Sequence, residues 1–222
     1  EKLRNCFLKL VTPSPIFHNQ SDFQIASPSQ NFSKKKRDFP HSIIERNFSM
    51  THIHFDSETN YFYIQNSRMT YIIELYQNRH LLHRYWGPPI PKFKAWNQAP
   101  NQKKTFAAFS DFENPSESLE YYPHEFSLPY QGDYMEPSLE LTLANLSQIV
   151  HFHFESYQIM EGTPELDGLP HARNNQNSPA QTLIVTFVDE QAQLTLEHYY
   201  TIFQQHDIIL RSYKLINHGK NS

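Results

Sequence analysis

After Met50 the chain breaks into short runs in which aromatic and β-branched residues either alternate with polar ones or follow one another without interruption. The runs 61–65 (YFYIQ), 70–76 (TYIIELY) and 81–86 (LLHRYW), separated by polar breaks, predict antiparallel strands of a meander. The run 138–143 (SLELTL) alternates cleanly and predicts another strand. So does 149–159 (IVHFHFESYQI), with Val150, Phe152 and Phe154 on one face. The runs 182–188 (TLIVTFV) and 194–203 (LTLEHYYTIF) are joined by a short connection over 189–193, which reads as a hairpin, and 208–216 (IILRSYKLI) follows the break QQHD. Nowhere does an amphipathic period of 3.6 run between capping residues. The fold class expected is therefore all-β, with half-buried strands stacked as antiparallel sheets.

The first 49 residues behave differently. They carry Pro13, Pro15, Pro28 and Pro40, scattered Ser and Asn, and no persistent period, which predicts a disordered extension. Their basic run at 34–37 (KKKR) suits a solvated charge cluster better than a nucleic-acid or import patch. Met50 could also be the native start, with 1–49 translated upstream sequence; native peptides upstream of Met50 in a mass spectrum would reject that. The expected organisation is an extension at 1–49 and a sandwich domain at 50–222. Because the strand at 208–216 lies so near the last residue, the sheet is expected to show an unpaired edge, as a fragment would.

Composition narrows the classes. With 38% hydrophobic residues the chain can bury a core, and the 14% of aromatic rings suit both pleated strands and sugar-stacking faces. A net charge of −4 creates no general field for nucleic acid or an anionic membrane. The single cysteine, Cys6, rules out an intramolecular disulfide framework. No apolar run approaches the roughly 20 residues of a membrane span, and the first residues make a poor signal peptide, so a soluble cytoplasmic protein is expected.

Candidate chemistry is concentrated in the stretch 123–137 (PHEFSLPYQGDYMEP), with Glu125, Asp133 and Glu136 among three rings. These acids could be catalytic, or could hold an irregular backbone by accepting hydrogen bonds. The i,i+2 pairs His52/His54 and His151/His153 could begin a zinc site, but each lacks a third ligand, so no metal is expected. In the run 86–96 (WGPPIPKFKAW), Trp86 ends an apolar strand and is expected in the core, Phe93 and Trp96 would pin a loop, and exposed rings there could instead stack on sugar. Arg211 alternates with apolar neighbours, so its guanidinium is expected to leave the core face and pair with a carboxylate. Neither a Gly-x-Ser-x-Gly elbow nor a glycine-rich phosphate loop occurs.

The five glycines, Gly87, Gly132, Gly162, Gly168 and Gly219, organise these pieces into an ordered series: LLHRYWG (81–87), PHEFSLPYQGDYMEP (123–137), IMEGTPELDGLP (159–170), QTLIVTFVD (181–189) and DIILRSYKLINHG (207–219). That series resembles the N-terminal domain of bacterial α-galactosidases of glycoside hydrolase family 36, over essentially all of 50–219. The resemblance implies a β-supersandwich, here truncated, with the catalytic aspartates in a (β/α)₈ barrel beyond it. It implies that Trp86, Gly87, Glu125, Asp133, Pro137, Gly168, Pro170 and Arg211 are structural motif positions, and that no cofactor is needed. For the parent enzyme it implies hydrolysis of terminal α-galactosyl residues of melibiose and raffinose-type sugars, and a homo-oligomer, a tetramer in bacterial relatives. The family's nucleophile and acid motifs, Lys-Trp-Asp-x-Asn-Arg and Ser-Asp-Asp-x-Asp, are absent here, so this piece is expected to lack catalytic residues.

Several positions depart from the family pattern. His124, Phe126 and Met135 replace its usual Gln, Tyr and Arg, and Lys103 stands where an Asp commonly reaches the galactose. An ammonium donates to hydroxyls but cannot accept from them. Lys103 and Trp96 are thus weak candidate substrate contacts. The rival expectation is a freestanding carbohydrate-binding β-sandwich, and a weaker one an interaction scaffold built on the sheet edge.

Overall fold

The computed structural model describes residues 51–93, 119, 122–130, 136–166 and 172–219. All of them fall in the compact unit Phe48–Ser222. The expected extension at 1–49 lies outside the described residues.

Eight strands form two four-stranded antiparallel sheets. The first holds β1 (His52–Asp56), β2 (Tyr61–Gln65), β3 (Thr70–Tyr76) and β4 (His80–Gly87), and the second β5 (His153–Glu161), β6 (Ala180–Asp189), β7 (Leu194–Phe203) and β8 (Ile209–Asn217); each runs in simple meander order. The alternating residues meet in one core. Phe62, Ile64, Tyr71 and Ile73 of the first sheet pack with Leu183, Val185, Phe187, Leu196, Tyr200 and Ile202 of the second. No α-helix occurs among the described residues.

Turn chemistry explains the registers. Gln77 and Asn78 take φ values of 51° and 54°, the positive pair that lets a tight turn follow the twist of β3 and β4. In the β6–β7 hairpin, Asp189 accepts from the backbone N–H of Ala192 at 2.9 Å and from that of His151 at 2.7 Å, so one carboxylate holds both the turn and the segment entering β5. Gly162, at φ 89°, ends β5 with its N–H on Ala180 and its carbonyl receiving the Thr182 hydroxyl, a conformation other L residues rarely adopt.

The first sheet is covered on both faces, which is why β2 is buried along its whole length. On the side away from the main core, Phe93 packs with Tyr61, Tyr63 and Ile72, and Leu119 and Tyr122 pack with Leu82. Phe93 therefore does pin the loop after β4.

Three expectations need correction, the first of them the extent of two expected strands. The run 138–143 is not a strand. Leu139, Leu141 and Leu143 do lean on the core while the residues between them are exposed, but the segment pairs with neither sheet. Alternation reports which side is buried and says nothing about whether a neighbouring backbone is in reach. The strand expected from 149 begins only at His153, although Val150 and Phe152 are buried and Phe154 packs on the same core.

Trp86 is the second correction, because it is 62% exposed rather than part of the core. It pairs with Tyr71 and so stands on the core-facing row of β4, but it lies at the end of the sheet, where the opposing layer leaves it open. Arg211 is the third, and only in part: it does pair with a carboxylate as expected, but it does not leave the core face. It pairs with Tyr200 and shares its row with Ile209, Tyr213 and Leu215, which pack on the core. Its guanidinium stays on the core side because a carboxylate waits there.

Candidate functional site

That carboxylate is Glu125. After the loop following β4, the chain returns along the edge of β4. His83 N–H donates to the Pro123 carbonyl at 2.7 Å, and Glu125 N–H to the Leu81 carbonyl at 2.8 Å. This short added pairing aims the Glu125 side chain into the gap between the edges of β4 and β8.

Three side chains converge on it. Oε1 accepts from the Tyr71 hydroxyl at 2.6 Å and from His83 Nδ1 at 3.0 Å, while Oε2 accepts from Arg211 Nη1 at 2.6 Å. An ionised carboxylate only accepts, so the proton between His83 and Glu125 belongs on Nδ1. The Glu125 side chain is 1% exposed, against 27% for Arg211 and 35% for His83. The acid is sealed while its partners reach the surface.

The electrostatics follow from this arrangement. Burial is the largest influence on Glu125 and pushes its pKa up, but the His83 hydrogen bond, the Arg211 charge and the Tyr71 hydroxyl together hold it below the ordinary value. Burial and then the Glu125 charge push the Tyr71 and Tyr200 hydroxyls up. Beneath the loop, Phe126 packs against His198 and Tyr213, each with ring centroids 4.8 Å apart. Burial lowers His198 to about 3, so it is a neutral core ring.

This geometry bears on the opening choice between catalysis and support. Retaining glycosidases need two carboxylates about 5–5.5 Å apart with room for a sugar between them. Among the described residues the cluster holds a single carboxylate, sealed from solvent and engaged at both oxygens. It can lock a loop to two strands; it has no free oxygen to attack a substrate.

Of the other sequence candidates, Gly87 closes β4 and half-buried Pro137 follows Glu136, whose carbonyl accepts the Ser127 hydroxyl at 2.9 Å. Lys103, Trp96, Asp133, Gly168 and Pro170 lie outside the described residues. His52 and His54 stack at 4.8 Å, and His54 lies on Tyr63 at 4.7 Å. Among the described residues, no three His, Cys, Asp or Glu side chains gather as a metal site would require.

Sequence reasoning missed Tyr71 and His83 as partners of Glu125. The signal available was weak: both occupy core-facing rows as polar or amphipathic residues. It also missed Asn66, fully buried, whose amide donates to the carbonyls of Phe203 at 2.8 Å and His206 at 3.0 Å while its oxygen accepts from the N–H groups of Arg68 and Met69.

Comparison with known proteins places this arrangement in a family. The family model described as the glycosyl hydrolase family 36 N-terminal domain matches residues 79–222. Alpha-galactosidase Mel36A of Lactobacillus acidophilus is 28% identical over 176 residues, covering 77% of this chain and 23% of that protein. Alpha-galactosidase AgaA of Geobacillus stearothermophilus is 24% identical over 165 residues, covering 74% of this chain and 23% of that one. Among solved structures, the α-galactosidase from Lactobacillus brevis matches with a TM-score of 0.66 at 28% identity, over 73% of this chain and 22% of that one. AgaB from Geobacillus stearothermophilus, at 22% identity and a TM-score of 0.70, shares the fold over 77% of this chain and 23% of its own. The chain thus spans less than a quarter of the length of these relatives. By the match over 79–222, it belongs to glycoside hydrolase family 36 as that family's N-terminal domain.

Proposed function

We propose that this chain is the N-terminal portion of an α-galactosidase that removes terminal α-D-galactosyl residues from melibiose and raffinose-type oligosaccharides. The carrying observation is the family match over 79–222 in a chain whose sequence lacks both catalytic motifs. Its part in the reaction is architectural. Glu125 bolts the 122–126 loop to β3, β4 and β8, which gives a rigid frame for the mouth of a pocket whose acids lie elsewhere in the enzyme. The same frame offers surface for homo-oligomer assembly, a tetramer in this reading, in the cytoplasm. Alone, the piece is inactive.

Purified chain incubated with p-nitrophenyl α-galactoside tests the last point. No turnover is expected; hydrolysis that persists through further purification would overturn it. The reading frame beyond Ser222 tests the first. Continuation into the Trp-Asp and Asp-Asp motifs supports the enzyme, and an immediate stop codon favours the rival, a freestanding carbohydrate-binding sandwich. The exposure of Trp86 is what keeps that rival in play.

A further inference from the structure

We propose that the sandwich binds one internal water between its sheets, in a cavity where that water links the imidazole of His198 on β7 to that of His80 on β4. The site is independent of the family reading and stands on geometry and hydrogen-bonding chemistry.

The polar lining of the cavity is Arg79, His80 and His198, and Leu81, Leu128 and Phe152 are among the apolar side chains that complete it. The wall is thus drawn from both sheets and from the segments that follow β4 and precede β5. A water centre has about 20 Å³ to move in. One water needs about 10–15 Å³ by that measure, so the cavity takes one comfortably and is tight for two.

His198 supplies the reason for a ligand there. It stands on the core row of β7, opposite Val185 and Tyr213, and is 3% exposed. Phe126, Phe187 and Tyr213 each meet its ring edge-on, with centroids 4.8, 5.3 and 4.9 Å away. Aromatic rings surround it, and its buried Nδ1 has no hydrogen-bond partner among the described residues. A buried polar atom left unpaired loses its hydration without return, and protein interiors commonly answer that with an ordered water.

The chemistry selects water over an ion. Burial keeps both imidazoles neutral at pH 7. A neutral imidazole offers one N–H and one lone pair, and water answers either because it both donates and accepts. A metal cation would meet the Arg79 guanidinium and no carboxylate among the described lining residues. An anion would find a positive charge only in Arg79, whose Nη2 already lies 3.3 Å from His151 Nδ1.

The test uses the whole 222-residue chain at pH 7. Water-selective NOE spectra read at the methyl groups of Leu81 and Leu128 should show cross-peaks with the sign of a water that tumbles with the protein. These should vanish in His198→Phe, which keeps a ring and removes both nitrogens, and persist in His198→Gln, whose amide still donates and accepts. Oxygen-17 relaxation dispersion does not register protons relayed from labile side chains. Its amplitude should fall in His198→Phe by that of one long-lived water. No water cross-peak at these methyls in the folded parent chain would overturn the proposal, whether or not either variant folds. So would water signals unchanged in a folded His198→Phe. Methyl shifts that saturate with added sodium chloride would overturn it too, because they would put an anion in the water's place.

Discussion

Arg211 Nη1 and Glu125 Oε2 lie 2.6 Å apart, joining β8 to a loop 86 residues earlier in the chain. Glu125 is sealed from solvent, so removing its cation strands a buried charge. Arg211→Met is expected to cost about 3 kcal/mol, typical of breaking one side of a buried pair. Arg211→Met combined with Glu125→Gln should cost less than the sum of the single changes. Urea unfolding of the four proteins in a double-mutant cycle measures the difference.

Acid should destabilise the domain, and two kinds of group push the same way. The Glu125 carboxyl is held below its unfolded value, so its contribution is fully present above the ordinary carboxylate range and is lost as pH falls through the folded value. His80 and His198 are lowered, mainly by burial, to about 3. Below the ordinary histidine value of 6.5 their unfolded forms take up protons that the folded forms refuse, and stability drains down to about pH 3. Each histidine adds up to about 1.4 kcal/mol per pH unit in that window. Melting temperatures between pH 7 and 4 should fall steeply, and His198→Leu should flatten the slope.

Asn66 joins the β2–β3 turn to the end of β7 and uses its oxygen as well as its amide nitrogen. Asn66→Ala leaves buried carbonyl and N–H groups without partners, and a loss of about 2–3 kcal/mol is expected. Asn66→Asp should be no better, because an ionised carboxylate cannot donate to Phe203 or His206. The midpoint of urea unfolding reports both.

Trp86→Ala should leave stability within about 0.5 kcal/mol of the parent, as for surface substitutions generally. Phe93→Ala, at a ring only 4% exposed, should cost about 3 kcal/mol. Thermal denaturation of the two variants side by side separates an aromatic residue on the rim from one in the core. A large loss for Trp86→Ala would mean that the indole is packed after all.

Backbone amides of Leu139, Glu140, Leu141 and Thr142 should exchange with deuterium at loop rates although the leucines lean on the core, because no described hydrogen bond holds those N–H groups. Central amides of β6 and β7, such as Leu183 and Tyr200, should exchange orders of magnitude more slowly. Hydrogen exchange read by NMR distinguishes an apolar segment from a paired strand.

Much of the architecture was legible along the chain because burial in a two-layer sheet imposes a period of two. The runs at 61–65, 70–76 and 194–203 coincide with β2, β3 and β7. The same rule misread 138–143, whose leucines obey the period without a partner strand. It also misplaced Trp86, where position along β4 mattered more than the face. At Arg211 chemistry overrode hydropathy: a charged side chain stayed on the core row because Glu125 was there to meet it.

Residue order alone settled which faces turn inward along most strands, though not at Trp86 or Arg211. It also settled where the hairpins fall and which family pattern the glycine-bearing turns spell, because these depend on neighbours a few positions apart. The joining of Tyr71, His83 and Arg211 around Glu125, and of Asn66 to Phe203, was decided only when the sheets stacked. Those bonds link residues as much as 137 positions apart, and no local period encodes which distant donor will meet a given acceptor.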